Sequence, residues 1–331
     1  MVFHPAILAL YLSSILIGFM VLYSARHGIQ ILRRWDLRSG SELQLLLERK
    51  TYLVSTLLAY AFAFQLGSLF LFIYTADHLH TLFVGAMCAA GSLYVNPFGY
   101  PTLFLKVTNF LGAGLWIIFN HADNRGYDYP LIKKKYLLLL LITPFILVEG
   151  LLQGNYFFLL RPDVITSCCG SLFSPTVQSV TSEVASLPSF LMEIVFYLWT
   201  ASTLAAGLWF YLKGRGGYLF AGLSGVLFLI AIISILSFIS LYIYELPTHH
   251  CPFCLLQREY GYVGYPLYVA LLGSTITGTS VGLLMPFRKI DSLKEVLPGL
   301  QKRLALVSVA LVLIFVAIVT YKVISSNLIL D

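Results

Sequence analysis

Charged residues are scarce in this sequence: they make up 11% of its 331 residues, whereas hydrophobic residues make up 59%. A soluble domain carries about 25% charged residues. Runs such as 136–158 and 218–244 also lack the polar side that a water-facing helix needs. Because a bilayer-spanning helix needs roughly 20 apolar residues, and the chain has that length repeatedly, we predict an integral membrane protein without a soluble domain.

The hydrophobic segments predict an all-α polytopic membrane protein with about eight transmembrane helices and no internal repeat. A further apolar stretch, Thr81–Tyr94, is too short to cross a bilayer, and the sequence VNPFGYP separates it from the next segment. We predict that 81–94 is a re-entrant or interfacial half-helix, covered by protein because irregular backbone at membrane depth must be shielded from lipid. The predicted spans are 5–25, 51–75, 102–120, 136–157, 186–212, 218–244, 261–284 and 304–325.

The Lys and Arg residues predict the orientation. Of the 21 basic residues, 17 lie in four alternating loops, at 26–50, 121–135, 213–217 and 285–303. Short cytoplasmic loops are enriched in Lys and Arg, so these loops are expected inside and both termini outside. The net charge of +6 is therefore explained by topology, and we expect no nucleic-acid partner.

Four of the five cysteines lie in two predicted outside loops. Cys168 and Cys169 are adjacent, and Cys251 and Cys254 form a Cys-Pro-Phe-Cys motif before the seventh span. If the cell is bacterial, the outer compartment is oxidising and disulfides persist there. The fifth cysteine, Cys88, lies in the half-helix and is interpreted as a packed small residue, since buried cysteine behaves as a small hydrophobe.

A Cys-x-x-Cys motif at a helix N-terminus favours thiol redox chemistry, because the helix dipole stabilises the thiolate that attacks a disulfide. The second cysteine then resolves the mixed disulfide. The same spacing also supplies half of a zinc site, and structural disulfides are a third alternative. The metal alternative is a soft ion such as Cu(I) or Hg(II). Its ligands would come from Cys168, Cys169, His249, His250, Cys251 and Cys254.

The run Cys251-Pro-Phe-Cys254-Leu-Leu-Gln257-Arg258 resembles the redox motif of the disulfide bond formation protein B family. In that family the cysteine pair at the outer start of a helix is followed by two apolar residues, Glu or Gln, and Arg. The resemblance implies that Cys251 and Cys254 pass electrons to a membrane quinone. It also implies that Gln257 and Arg258 lie at the quinone head group.

The layout of residues 136–285 resembles the vitamin K epoxide reductase family, which shares a four-helix bundle with the first family. That resemblance implies that Cys168 and Cys169 shuttle electrons between an outside thiol protein and the Cys-x-x-Cys pair. Vicinal cysteines depart from the separated loop cysteines of both families, but a strained vicinal disulfide is easily reduced. The predicted division is a three-span region at 1–135, the redox-like bundle at 136–285, and a loop with a final span at 286–331.

Three ionisable residues, Lys106, Glu149 and Glu193, fall inside predicted spans, where a charge is costly and indicates function. With Arg258 they are expected at a similar depth in the outer leaflet, either as a quinone pocket with a proton path or as ion pairs that join helices. Haem or metal ligation is also left open by the boundary histidines His27, His78, His80, His121, His249 and His250.

The favoured hypothesis is a membrane thiol–disulfide oxidoreductase that exchanges electrons between an extracytoplasmic thiol protein and membrane quinone. One alternative is a metal-handling membrane protein for a soft ion such as copper or mercury. Another is a non-catalytic subunit of a larger membrane complex. The expected location is a bacterial inner membrane, with the cysteine loops facing the periplasm or exterior.

Overall fold

The computed structural model describes residues 4–36, 39, 41–161, 164–166 and 187–328. In this part of the chain the regular elements are helices, apart from an isolated parallel bridge between Val84 and Ile165. The main helices are α1 (Pro5–Arg34), α2 (Glu42–His78), α3 (Ala89–Tyr94), α4 (Gly99–Asp123), α5 (Ile132–Phe158), α6 (Ser189–Lys213), α7 (Gly217–Ser234), α8 (Ser240–Tyr244), α9 (Gly264–Leu284) and α10 (Val296–Ser325).

Within the described residues, eight helical segments are long and apolar enough to cross a membrane, which confirms the predicted all-α polytopic class. A π-helical turn at Ile235–Ile239 joins α7 to α8, so these two helices make one span. Several helices extend beyond the apolar segments read from the sequence. For example, α2 begins at Glu42, since helical structure continues into the polar loop before the predicted span at 51–75.

The predicted half-helix is present as a shorter element. A 3₁₀ turn covers Leu79–Leu82, an extended stretch follows, and only α3 is α-helical. The extended backbone bonds to another segment, since the Thr166 N–H donates to the Val84 carbonyl oxygen at 3.0 Å. Gly85 has a φ of +88°, and a Cβ there would collide with the Thr166 carbonyl oxygen. This close approach requires glycine and prevents a helix through the whole stretch.

The chain forms two compact units, and their boundaries differ from the division predicted at residues 135 and 285. The first unit comprises Met1–Thr75, Asn96–Leu160 and Phe287–Leu300. The second unit comprises Ala76–Val95, Arg161–Pro286 and Gln301–Asp331. The difference arises because α5 packs against α1 and α4, so α5 does not belong to a bundle formed by residues 136–285.

The first unit has a core of aliphatic and aromatic side chains that includes Trp116 and Tyr136. The Trp116 indole N–H donates to the Lys135 carbonyl oxygen at 3.1 Å. The buried Lys135 ammonium lies 2.6 Å from a carboxylate oxygen of Asp123. A buried charge needs such a partner, and this pair joins the end of α4 to the start of α5.

The second unit contains α6, α7, α9 and the part of α10 from Gln301 onwards, and small residues lie at contacts between these helices. A Cβ on Gly282 of α9 would lie 2.4 Å from the Ala221 Cβ of α7. The Ser308 hydroxyl of α10 donates to the Ser274 carbonyl oxygen of α9 at 2.9 Å. Small residues such as these let membrane helices approach closely.

Candidate functional site

The Cys-x-x-Cys motif lies in a loop of the second unit and not at the N-terminus of a long helix. Cys254 opens a 3₁₀ turn at Cys254–Leu256, a second turn follows at Arg258–Tyr260, and α9 begins only at Gly264. Positive φ angles at Gly261 and Tyr262 separate the motif from α9. The expectation that the seventh span's helix dipole stabilises a Cys251 thiolate is therefore wrong, because that effect is confined to a helix's first turn.

Buried tyrosines hold the backbone of this loop. The Tyr244 hydroxyl donates to the Cys251 carbonyl oxygen at 2.5 Å, and the Tyr268 hydroxyl donates to the Pro252 carbonyl oxygen at 2.6 Å. Gly264 packs against the next part of the loop, where an added Cβ would lie 2.9 Å from the carbonyl carbon of Leu255. The motif is thus supported from both α8 and α9 at the peptide groups beside its cysteines.

A third cysteine completes the group. Cys88 Sγ lies 3.5 Å from Cys251 Sγ, and the sulfurs of Cys88, Cys251 and Cys254 all lie within 4.8 Å of one another. The three side chains are thiols, with exposed fractions of 0%, 0% and 4%. A disulfide requires an S–S distance of about 2.05 Å, so the group is a set of converging thiols.

His249 lies beside this group. Its Nε2 lies 3.4 Å from Cys254 Sγ, and its ring packs edge-on against Tyr244 with centroids 4.4 Å apart. Burial lowers the pKa of His249 below its ordinary value, which favours the neutral imidazole that can bind a metal. The donor atoms that lie within 4.8 Å of one another are the three sulfurs, and the His249 nitrogen lies beside one of them, that of Cys254, so a tetrahedral ion would need His249 to move towards the other two.

His250 is held away from the sulfurs. Its Nδ1 lies 2.8 Å from the Leu236 carbonyl oxygen, within the π-helical turn Ile235–Ile239. A π turn interrupts the regular α-helical ladder, and such turns often occur at functional sites. His250 therefore anchors the loop to this π-helical turn, whereas the predicted metal set included it as a ligand.

The remaining predicted thiol ligands, Cys168 and Cys169, lie outside the described residues. Cys88, interpreted from the sequence as a packed small residue, is buried as expected but contacts Cys251. One feature of the sequence is consistent with this contact: the segment with the half-helix lies between two of the basic loops that are predicted to be cytoplasmic, so it is predicted on the same side as the cysteine loops. The sequence alone did not reveal the contact between Cys88 and Cys251, because the two residues are 163 positions apart.

The residues predicted at a quinone pocket are divided between the two units. In the second unit, Gln257 donates to Asp77 and to the Met87 carbonyl oxygen, whereas Arg258 is exposed. Glu193 is half-buried on α6. Among the described residues, Glu193 and Arg258 do not form an ion pair with each other.

The first unit contains Lys106 and Glu149, which form a buried ion pair with an Nζ–Oε1 distance of 2.7 Å. Gln65 and Asn109 donate to the other carboxylate oxygen at 2.5 and 2.6 Å. The Lys106 ammonium also donates to the Ser68 hydroxyl at 3.2 Å. Each charge has its complement within this network, which favours the interpretation as an ion pair that joins α2, α4 and α5.

The boundary histidines considered as haem ligands are placed differently from one another. His27 is buried and its Nε2 lies 3.2 Å from the Thr51 hydroxyl, whereas His121 is exposed. The His80 ring hydrogen-bonds the Asp77 carbonyl oxygen, and His78 is exposed. These contacts favour structural roles for the buried rings.

No protein-family model, curated protein or solved structure matches this chain. The resemblance to the two thiol oxidoreductase families therefore depends on residues 251–258 and on the order of the spans. Arguments about function have to come from the cysteine site itself.

Proposed function

We propose that this chain is an integral membrane protein that binds one thiophilic metal ion, of the class of Zn(II) or Cu(I). The ligands are the thiolates of Cys88, Cys251 and Cys254, and a shift of the neighbouring His249 ring would add a fourth donor. The observation that carries the proposal is the convergence of three buried sulfurs within 4.8 Å of one another. Soft thiolate ligands select ions of this class over Mg(II) or Ca(II).

The dimensions of the site support this assignment. A tetrahedral zinc ion with Zn–S bonds of about 2.3 Å needs sulfur atoms about 3.8 Å apart. The Cys88–Cys251 distance of 3.5 Å is slightly shorter, and the upper limit of 4.8 Å for the group is longer by about 1 Å. Side-chain rotations that change the sulfur–sulfur distances by up to about 1 Å would therefore place the three sulfurs around one ion.

The charge of the site also supports a cation. Ionised thiolates are costly to bury without a compensating charge. A bound divalent or monovalent ion would provide that charge and release the thiol protons on binding. The same reasoning explains why the site can remain neutral without metal, since three thiols and an uncharged imidazole carry no net charge.

The predicted topology places this site on the extracytoplasmic side, because 17 of the 21 basic residues lie in the loops assigned to the cytoplasm. In a bacterial inner membrane the site would face the periplasm. The proposed role is therefore to capture a soft metal ion at the outer surface of the membrane, as part of metal handling.

The decisive experiment is metal analysis combined with thiol counting on the reduced, detergent-purified protein. Separate samples loaded anaerobically with Zn(II) and with Cu(I) distinguish the two ions, and each should retain one ion per chain. Retention should fall below half an ion per chain in Cys251→Ser. The double variant Cys168→Ser/Cys169→Ser distinguishes this site from the larger set predicted from the sequence, since one ion should still bind.

Spectroscopy provides a second, independent readout. Co(II) added to the reduced protein should produce thiolate-to-metal absorption and the visible bands of a tetrahedral ion, both reduced in Cys88→Ser. If neither Zn(II) nor Cu(I) is retained, and Co(II) produces no thiolate absorption, the proposed function is wrong.

The thiol–disulfide oxidoreductase predicted from the sequence is the second candidate. It is favoured by the 3.5 Å approach of Cys88 to Cys251, which provides a third thiol beside the Cys-x-x-Cys pair. Two thiols of the site would form one disulfide, and the two electrons and two protons would convert a quinone to a quinol. Burial of the sulfurs argues against direct attack by a protein partner, since reactive cysteines are partly exposed.

Replacing Cys254 with Ser tests this second candidate, because loss of a resolving thiol traps a mixed disulfide. The oxidoreductase hypothesis predicts a disulfide that links Cys251 to Cys168 or Cys169, and mass spectrometry would detect it. The metal hypothesis predicts instead that Cys254→Ser lowers the metal content without accumulating that species.

A further inference from the structure

The peptide groups on both sides of Cys88 are held by side chains that do not belong to the proposed ligand set. The Asp77 Oδ1 atom accepts a hydrogen bond from the Ala89 backbone N–H at 3.1 Å. The Gln257 side-chain amide donates to the Met87 carbonyl oxygen at 2.8 Å. The same amide nitrogen donates to Asp77 Oδ1 at 3.1 Å, so the two side chains are joined to each other.

The hydrogen bonds of this arrangement are mutually consistent. A glutamine amide nitrogen carries two hydrogens, and here one is directed to Asp77 and the other to Met87. A carboxylate oxygen has more than one acceptor site, so Asp77 Oδ1 can receive both Ala89 and Gln257. Asp77 and Gln257 together therefore fix the backbone before and after Cys88.

The position of Cys88 at the start of α3 explains why another residue, Asp77, accepts a hydrogen bond from the first turn of this helix. Cys88 occupies the N-cap position, where Ser, Thr, Asp or Asn normally accepts a hydrogen bond from the first helical turn. Its side chain makes no such bond. Asp77 instead accepts the N–H of Ala89, the first residue of α3, which is another of the unpaired donors at the start of a helix. The sulfur of Cys88 is thereby directed to Cys251, although its position in the helix favours a capping side chain.

Gln257 belongs to the Cys-x-x-Cys loop, so its hydrogen bonds connect that loop with the Cys88 segment. It follows Cys254 by one short turn of the chain, and Cys88 lies 163 positions away from Cys251. One pair of side chains therefore connects the backbone of the Cys88 segment with the backbone of the Cys-x-x-Cys loop. Residues that orient metal ligands in this way typically change metal affinity by about 10–100-fold when they are replaced.

We infer that Asp77 is a positioning residue of the metal site: together with Gln257 it places the Cys88 thiolate against Cys251 and Cys254. This inference rests on the proposed metal-binding function. It gives Gln257 a role in positioning the Cys88 thiolate, whereas the resemblance in the sequence implied that Gln257 contacts a quinone. Asp77 acts through the peptide of Ala89 and does not itself bind the ion.

The test compares Asp77→Ala and Asp77→Asn in the full-length purified protein, with Zn(II) affinity measured by competition against a chelator. Asp77→Ala should bind Zn(II) about 10–100-fold more weakly. With Co(II), the thiolate absorption should fall towards that of a two-sulfur site. Asp77→Asn keeps an oxygen acceptor for the Ala89 N–H, so it should recover most of the affinity and of the absorption.

Two further variants make the result decisive. Gln257→Leu removes the contact with Met87 without altering α2, and should weaken Zn(II) binding in the same direction even if Asp77→Ala does not fold. Ser308→Ala is the matched control, since it removes a buried hydrogen bond between α9 and α10 elsewhere in the second unit. It should leave the Zn(II) affinity and the Co(II) spectrum unchanged.

The outcomes separate this inference from the proposed function. Wild-type affinity and wild-type Co(II) spectra in both Asp77→Ala and Gln257→Leu would overturn the positioning role while metal binding stands. Asp77→Asn as weak as Asp77→Ala would also overturn it, because the negative charge and not the hydrogen bond would then matter. Failure of the wild-type protein to bind Zn(II), Cu(I) or Co(II) would instead reject the proposed function.

Discussion

The two units bury ionisable side chains in opposite ways. In the first unit, Lys106 meets Glu149 and Lys135 meets Asp123, at 2.7 and 2.6 Å, so each positive charge has a negative partner. In the second unit, three ionisable groups of the same kind converge. An oppositely charged pair is complete without a ligand, whereas a cluster of thiols becomes charged only when a cation joins it. An ionisable group in a span is therefore a weak indicator of function until its partners are known.

The largest effect is expected from breaking the complete pair of the first unit. Glu149→Ala leaves the Lys106 ammonium buried without its carboxylate, which should lower the free energy of unfolding by about 3–5 kcal/mol. Replacing both partners in Lys106→Met/Glu149→Leu should recover only part of that loss, because it removes the unpaired charge but leaves the buried Gln65 and Asn109 amides without their acceptor. Denaturant unfolding in detergent, followed by tryptophan fluorescence, measures both variants.

An exposed ion pair in the same unit provides the control. Lys294 lies 3.2 Å from Asp291, and the two side chains are 57% and 88% exposed. Solvent screening leaves such pairs worth about 0–1 kcal/mol, so Lys294→Ala should barely change the free energy of unfolding. If the double variant is as unstable as Glu149→Ala, the unpaired Gln65 and Asn109 amides, and not the unpaired ammonium, account for the loss.

The cysteine site of the second unit should respond in the opposite manner. Cys88→Ala should lower the stability of the metal-free protein by only about 1 kcal/mol, a typical effect of one substitution. It should abolish the stabilisation by Zn(II), which amounts to about 2.7 kcal/mol for an ion at 100 times its dissociation constant. Thermal unfolding with Zn(II) and with a chelator measures both quantities. Equal stabilisation of the variant and the wild type by Zn(II) would exclude Cys88 as a ligand.

The support beneath the site can be tested at a glycine. Gly264→Ala places a methyl group 2.9 Å from the Leu255 carbonyl carbon, next to Cys254, so the loop must move. Overpacking of this kind costs about 1–3 kcal/mol, and the displaced loop should also weaken Zn(II) binding.

Gly222→Ala in α7 is the matched control, because a Cβ there meets no atom within 4 Å. Alanine is favoured over glycine inside a helix by about 0.5–1 kcal/mol, so this variant should be slightly more stable than the wild type. Zn(II) titration and thermal unfolding of both variants provide the comparison. If Gly264→Ala and Gly222→Ala have the same Zn(II) affinity and the same stability, the loop after Cys254 adjusts without affecting the site.

Hydrophobic length and charge made the fold largely predictable, whereas the site was predictable only in part. Each span is a local property of the sequence, as in the runs at 136–158 and 218–244. The grouping of helices is not local: α5 joins the first unit because of its packing against α1 and α4. The contact of Cys88 with Cys251 follows a segment that turns at Gly85, where φ is positive, and apolar patterning does not reveal such a turn.

The smallest change in metal binding is expected at Arg258, and for that reason it distinguishes the two candidate functions. Arg258 is exposed in the turn Arg258–Tyr260, after the peptide groups that hold the cysteine loop. A surface substitution away from such contacts usually changes a free energy by no more than about 0.5 kcal/mol, or about twofold in affinity. Arg258→Ala should therefore bind Zn(II) like the wild-type protein.

The oxidoreductase hypothesis predicts a different result for the same variant. A fixed cation beside the quinone oxygens stabilises the charge that develops during reduction, and removing one such donor typically slows a reaction about 10²–10³-fold. The measurement is the rate at which dithiothreitol reduces a short-chain quinone in the presence of the protein, with Arg258→Lys as the variant that keeps the charge. Quinone reduction that is lost in Arg258→Ala and restored in Arg258→Lys would favour the redox hypothesis. Two results together would favour the metal site: the wild type shows no thiol-dependent quinone reduction, and Arg258→Ala binds Zn(II) with unchanged affinity. The residues that matter would then be those surrounding the three sulfurs.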